Sequence, residues 1–318
     1  MAVYHLSGLG KSPGALTVPI SAIYILQIAQ HLGIKEAVDF FKISGEVERK
    51  GSYEKRRGEI ECIIVFTSDE VIKGTEVNKS YSKWFGFTKN EKTKPEKVYS
   101  DFFNKLFEHM EKEFNFSPRE FEMYFVTVNH QDFEDCFRKV GTTLNGLKDK
   151  EIWGNMVGGT NQINLAILSA GAFSALISRY YYLFQSEVSL LEPDWAEKPT
   201  KNNIRRLVSE TLKRWYELPF FNLEIGGILK KIDELFQWKE KINEKELENE
   251  IRKLGLGKMF FPKLRRFLIP NEDGTVSKGR LFEKFLNISG LISSNVNNFV
   301  EWKKWAEEEG ILHKAEIF

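Results

Sequence analysis

The sequence predicts an α/β protein: a mostly parallel sheet covered by helices on both faces, followed by a mainly helical C-terminal region. Short apolar runs such as ECIIVF (61–66) and MYFVTV (123–128) alternate with amphipathic stretches through the first 190 residues. Runs of that length without polar alternation suit strands buried on both faces, the condition of a parallel sheet. Two of the runs pass into glycine-rich turns that open helices, and beyond residue 191 the pattern becomes helical.

In chain order, residues 3–7 read as the first strand and 15–32 as an apolar helix ending near Gly33. Residues 61–66 form a buried strand, 101–113 an amphipathic helix, 123–128 a strand and 132–147 a helix. Residues 152–157 lead into Gly158, a helix starts at Gln162, and 179–184 make the last strand of the series. Repeated βα units of this kind give a Rossmann-like sheet, whose ligands bind outside the carboxyl ends of the strands. Two charged segments, 44–59 and 73–98, interrupt the pattern as loops or hairpins inserted into the sheet domain. The second is lysine-rich and holds Tyr81, Trp84, Phe85 and Phe87. It is a ligand-covering flap, a partner surface, or a solvated hairpin with its own apolar anchor.

The stretch EPDWAEKPTK (192–201) is the expected linker, dividing the chain into domains 1–190 and 191–318. The second domain has the layout of a winged helix-turn-helix. Asn243 caps a helix running to Leu254, Gly255 and Gly257 make the turn, 259–268 is the second helix, and NEDGT is the tip of a wing. A last helix, 297–309, ends at Gly310. Between 252 and 284 nine basic residues stand against three acidic ones, a local face that suits DNA backbone contact. The helix KMFFPKLRRFL, however, is aromatic and carries Pro262, which suits packing better than groove reading. A clamping or dimerisation domain is the other reading.

At 318 residues with 42% hydrophobic and 29% charged content, the composition is that of a folded globular protein rather than a disordered one. A net charge of +1 excludes a global attraction to nucleic acid or acidic membranes, so any basic surface is local. Cys62 and Cys136 both lie in apolar patterns and read as buried thiols. The five histidines have no partner at ligand spacing, so no metal site and no cofactor are expected. Residues 15–29 lack a basic leader and a cleavage site, and Arg179 interrupts the apolar run 163–184. The expectation is a cytoplasmic protein with no membrane partner.

The first turn, SGLGKSPGALT (7–17), carries the chemistry. A triphosphate loop would need glycine at position 5, where His5 stands. The dinucleotide fingerprint fails on the spacing of Gly8, Gly10 and Gly14. What remains is a turn that exposes backbone N–H groups at a helix start, with Ser12 as cap and Pro13 as first helical residue. It serves an anion, or it is only a tight capped turn. The second turn, MVGGTNQINLAIL (156–168), repeats the arrangement, and the strand ends FTSDE and VTVNHQD add Thr67, Ser68 and Asn129 to the same edge. Four polar strand ends form a site for a large polar ligand. No catalytic carboxylate pair or nucleophile triad stands out.

Ser-Pro-Gly-x-x-Thr after the first strand (Ser12, Pro13, Gly14, Thr17), with a late Gly-Gly-Thr (Gly158, Gly159, Thr160), resembles the CRISPR-associated Rossmann fold (CARF) family, the sensor domains of type III CRISPR systems. The resemblance covers about residues 1 to 190. It implies a homodimer whose two sheet domains share a symmetric pocket for a cyclic oligoadenylate, cyclic tetra-adenylate being the common ligand. It places Gly10, Lys11, Ser12, Gly14 and Thr17 on one wall. Gly158, Gly159, Thr160, Asn161 and Gln162 line the other; Thr67, Ser68 and Asn129 join them from the strand-end reading above.

Family members with ribonuclease effectors carry Arg-x4–6-His, and no histidine of this chain has an arginine at that spacing; a metal-dependent nuclease core is equally absent from the sequence. Two functions stay open. In the ring-nuclease branch, the ribose 2′-OH attacks the adjacent phosphate without a metal, leaving linear di-adenylate with a 2′,3′-cyclic phosphate. Ser12 would orient the reacting group, and Lys11 would meet the phosphate charge. Related ring nucleases often have a lysine after Gly-Gly-Thr, where this chain has Asn161, which implies slower turnover, or none, unless Lys11 takes over the role. In the alternative, the cyclic ligand controls a DNA-binding regulator through the C-terminal domain.

Overall fold

The computed structural model describes residues 2–10, 13–42, 58–74, 94–183, 198–218, 225–236, 239–253 and 264–317. Lys11, Ser12, most of the two charged insertions, linker residues 192–197 and the segment holding Gly255, Gly257 and Pro262 lie outside the described residues.

The core is a seven-stranded sheet. Its five inner strands are parallel, and in spatial order they are β3 (Glu122–Thr127), β2 (Ile60–Thr67), β1 (Val3–Leu9), β4 (Glu151–Asn155) and β5 (Ile177–Leu183). Every residue of β1 is buried, as its central place and continuous apolar run require. Helix α1 (Gly14–His31) packs on one face with α2 (Lys35–Lys42), α4 (Pro95–Phe114) and α7 (Ile204–Arg214). The short α3 (Asp69–Ile72) follows β2. On the opposite face lie α5 (Phe133–Gly146), α6 (Asn161–Ser174) and α11 (Phe299–Glu308). The sequence thus folds as the expected Rossmann-like α/β sheet with helices on both faces. Cys62 and Cys136 are buried thiols. The apolar run after residue 162 is a helix followed by a strand, as expected.

Three expectations need correction. Helix α4 starts at Pro95, inside the segment read as an inserted loop, because proline is tolerated in the first helical turn. The boundary at 190/191 does not bound the large sheet. β6 (Trp215–Glu217) pairs antiparallel with β5, and β10 (Leu312–Ala315) pairs antiparallel with β3, so both edge strands come from the C-terminal part. Short edge strands of this kind close off the unpaired groups of a parallel sheet. Finally, the stretch read as a helix to residue 268 ends in a 3-10 turn, Arg265–Phe267, and Leu268 already belongs to a strand.

Between β6 and α11 the chain builds a second, smaller unit. It contains α8 (Ile225–Phe236), β7 (Lys241–Asn243), α9 (Glu244–Lys253), β8 (Leu268–Pro270), β9 (Thr275–Lys278) and α10 (Arg280–Gly290). The strands form a sheet in the order β7-β9-β8 over an apolar cluster that includes Ile232, Phe236, Leu247, Val276 and Phe282. Asn243 caps α9 as expected, its Oδ1 accepting from the N–H of Lys245 and of Glu246. The unit returns to the main sheet over α5. There Thr143 Oγ1 accepts from Trp302 Nε1 at 2.9 Å, and Asn145 donates to the carbonyls of Ser293 and Val296. Among the described residues no single helix is long and apolar enough to cross a membrane.

Candidate functional site

The two glycine-rich turns come from neighbouring strands. β1 delivers the chain to α1 on one face of the sheet, and β4 delivers it to α6 on the other. The crevice between them is the topological switch point, outside the carboxyl ends of the strands, where sheets of this class bind ligands.

The turns touch backbone to backbone. A Cβ placed on Gly8 would lie 2.8 Å from the Gly158 carbonyl oxygen and 2.9 Å from Gly159 Cα. One placed on Gly158 would lie 2.4 Å from Ala15 Cβ and 2.7 Å from the Gly8 carbonyl oxygen. Gly159 also holds φ at +96°, a conformation that L side chains rarely adopt. Glycine at 8, 158 and 159 is therefore dictated by close approach.

Each turn presents a helix N-terminus. In α1 the amides of Leu16 and Thr17 are the first to find an acceptor in the helix, both on the Pro13 carbonyl at 2.9 and 3.0 Å, and those of Gly14 and Ala15 precede them. In α6 the Asn164 amide donates to Thr160 O at 3.0 Å, with Asn161, Gln162 and Ile163 ahead of it. Thr160 occupies the N-cap position but makes no side-chain capping bond. Its Oγ1 and the Asn164 Oδ1 are buried atoms with no hydrogen-bond partner among the described residues. Two helix starts side by side favour negative charge through their free N–H groups and dipoles. No described residue of either turn, 8–10 and 13–17 or 156–162, carries an ionisable side chain, so what these residues offer an anion is neutral N–H and hydroxyl groups.

The predicted site residues divide accordingly. Gly10, Gly14, Gly158, Gly159, Thr160, Asn161 and Gln162 gather at the two turns, Asn161 exposed and Gln162 half-buried. Thr17 and Thr67 were expected to contact ligand, but both are buried and spend their hydroxyls on backbone. Thr17 donates to Pro13 O at 3.3 Å and Thr67 to Leu9 O at 2.9 Å. Ser68 is half-buried at the start of α3. Asn129 is exposed beyond β3, with its Oδ1 accepting from the Gln131 N–H and its own N–H donating to Asp135 Oδ2 at 2.8 Å. Lys11 and Ser12 lie outside the described residues.

Sequence reasoning missed Ser7 and Asn155, both fully buried at the mouth of the crevice. Asn155 Nδ2 lies 2.9 Å from Ser7 Oγ and 3.0 Å from the Ala15 carbonyl, while its Oδ1 accepts from the Val157 N–H at 3.0 Å. Ser7 Oγ donates onward to Gly8 O at 3.1 Å. The only signal in the sequence was a polar residue inside an otherwise apolar strand, IWGN. One row below, His5 is wholly buried with Nδ1 3.1 Å from Tyr181 Oη. Burial and the nearby Arg179 charge push its pKa down to about 3. Arg179 itself lies between the rings of Phe40 and Trp153, 4.5 Å from each centroid, and its Nε meets Glu217 Oε1 at 3.0 Å. The histidine that breaks the triphosphate pattern is thus a core residue.

No protein-family model matches the chain. Among solved structures, Enterococcus italicus Csm6 bound to cyclic hexa-2′-fluoro-hexa-dAMP aligns with 84% of this chain at 13% identity and a TM-score of 0.39, and the chain spans about half, 53%, of that protein. At that score the likeness fixes neither ligand nor activity. An uncharacterized protein of Archaeoglobus fulgidus is 49% identical over 319 residues, an alignment covering 100% of this chain and 98% of the relative. The chain and that archaeal protein belong to one family.

Proposed function

We propose that the protein is a CARF-type ring nuclease that binds cyclic tetra-adenylate between the sheet domains of a homodimer. It cleaves the ring without a metal, leaving linear di-adenylate with a 2′,3′-cyclic phosphate and ending a type III CRISPR signal. The observation that carries the reading is the meeting of the two glycine-rich turns at the switch point, each with a helix N-terminus, an arrangement suited to phosphates. Exposed Leu165, beside half-buried Leu168 and Ala172, gives α6 an apolar outer face next to the turns, where a second copy would pack. Lys11 and Ser12 are the groups proposed to act on the reacting phosphate and ribose, with Thr160, Asn161 and Gln162 on the opposite wall.

Incubation with cyclic tetra-adenylate in EDTA, followed by chromatography, tests this directly. Linear product that slows strongly in Ser12→Ala supports it, and an intact ring after long incubation with stoichiometric protein rules the enzyme out.

The second reading is a ligand-responsive DNA-binding regulator. It draws on the helix and strand order of the smaller unit, whose β8–β9 hairpin carries the NEDGT tip. Its basic residues count against it. Arg252 pairs with Glu248, Lys253 with Glu250, Arg265 with Glu244 and Lys278 with Asp233, so four of the nine basic residues that stand out in the sequence have an acidic neighbour. A salt-dependent shift of duplex DNA that responds to the cyclic ligand would favour the regulator.

A further inference from the structure

We propose that Asn155 is a positioning residue that locks the two glycine-rich turns into one unit, using a carbonyl that Pro19 leaves free. The proposal rests on the reading of those turns as the ligand-binding edge. In an α-helix the N–H of residue 19 bonds to the carbonyl of residue 15, but Pro19 stands inside α1 and has no N–H. The Ala15 carbonyl therefore lacks its donor from the helix. Asn155 Nδ2 supplies one at 3.0 Å from the end of β4.

The remaining polar atoms of Asn155 serve the same junction. Nδ2 also lies 2.9 Å from Ser7 Oγ, which donates to Gly8 O at 3.1 Å, and Oδ1 accepts from the Val157 N–H at 3.0 Å. Gly8 and Ala15 are the two residues of the first turn against which Gly158 packs. Hydrogen bonds and van der Waals contact thus converge on the same pair. The Gly8, Ala15 and Leu9 carbonyls are bonded to Ser7, Asn155 and Thr67 within the protein rather than left to face a phosphate. Asn155 is fully buried and does not touch ligand; it acts through the backbone it holds.

The test uses the full chain and the variants Asn155→Ala, Ser7→Ala and Asn155→Ala/Pro19→Ala. In the ligand-free protein, amide hydrogen exchange should rise roughly tenfold or more in Asn155→Ala at the bonded amides of Leu16, Thr17, Val157 and Asn164 together, and stay unchanged at the centres of β2 and β3. Ser7→Ala, which removes one link, should loosen the same amides by a smaller factor and serves if Asn155→Ala does not fold. Affinity for cyclic tetra-adenylate should fall roughly tenfold or more with Asn155→Ala. In the double variant residue 19 regains an N–H for Ala15 O, so the thermal midpoint should recover while exchange at Val157 and Asn164 and affinity stay impaired.

Recovery of affinity along with the midpoint would mean that Asn155 merely satisfies a carbonyl, and the proposal would fall. It would also fall if exchange rose evenly over the sheet or in one turn alone. If the wild-type chain does not bind cyclic tetra-adenylate, the proposed function fails, and the exchange data on the free protein still decide the role of Asn155.

Discussion

Gly158→Ala is the sharpest probe of the contact between the turns. The new Cβ would stand 2.4 Å from Ala15 Cβ and 2.7 Å from the Gly8 carbonyl oxygen, where ordinary contact begins at 3.4 Å. The turns must therefore part by about 1 Å (3.4 − 2.4) to admit one methyl group. Neither neighbour is the far end of a flexible side chain: Ala15 Cβ is fixed to the start of α1, and Gly8 O is held by Ser7 Oγ at 3.1 Å. Overpacking of this kind costs about 1–3 kcal/mol. A chain of this size then loses roughly 2 °C or more of thermal midpoint for each kcal/mol. If the protein is the proposed ring nuclease, the functional cost is larger, because a misplacement of about 1 Å in a ligand-positioning element can reduce turnover by about 100-fold. Thermal melting and cyclic tetra-adenylate cleavage, measured on the same preparations, separate the two effects. Gly290→Ala is the control, since its Cβ meets nothing within 4 Å, and it should be neutral or stabilising by about 0.5–1 kcal/mol. A Gly158→Ala protein that melts like wild type would refute the close contact. One that is destabilised yet cleaves at the wild-type rate would refute the joint role of the turns.

Three further outcomes follow from particular side chains. His5 has a native pKa of about 3 against an ordinary 6.5, so the unfolded chain binds the extra proton between those values. Stability is fully present above pH 6.5 and is lost as pH falls toward 3, by up to about 1.4 kcal/mol per pH unit, and urea unfolding of His5→Gln should lack that component; parallel pH profiles for the two proteins would show that His5 does not titrate this way. Asn161→Lys places a cation at the exposed start of α6, costing under about 1 kcal/mol against the helix dipole. It should speed ring cleavage, and an unchanged rate would remove that position from the phosphate-facing wall. Thr143→Val strips the buried Trp302 Nε1 of its acceptor and should lower stability by about 1–3 kcal/mol in chemical denaturation, with ligand affinity unchanged. A loss of affinity instead would tie the C-terminal return segment to the site.

The fold was legible where one element's pattern decided the outcome. ECIIVF and MYFVTV are buried strands because apolar runs of that length have no solvent face to keep. Gly8, Gly158 and Gly159 announced turns because few other residues tolerate such contacts. Strands β6 and β10 were not legible. LHKA and WYE are too short and polar to read as strands, and they form because an edge of a parallel sheet offers free backbone groups. In the candidate site, the sequence pointed to the two turns that the fold brings together, whereas the Thr17 and Thr67 hydroxyls, expected at a ligand, donate to backbone carbonyls. A polar residue at a strand end gives no sign of which way it points.

Asn155 was hidden for a further physical reason. Its three bonds join residues 7, 15 and 157, and no local pattern records a contact 140 residues away. Pro19, taken by itself, reads as a defect in a buried helix. Taken with Asn155, it is the residue that makes the Ala15 carbonyl available to the neighbouring strand. The described parts of both turns are uncharged, so what they themselves offer an anion is N–H dipoles, which depend on placement. On the proposed reading, their hold on a phosphate would depend on N–H groups aimed correctly and carbonyls turned away. The glycine contacts set the distance between the turns, and the Asn155 and Ser7 bonds set their orientation, so loss of either should disable the site without removing any group that touches the ligand.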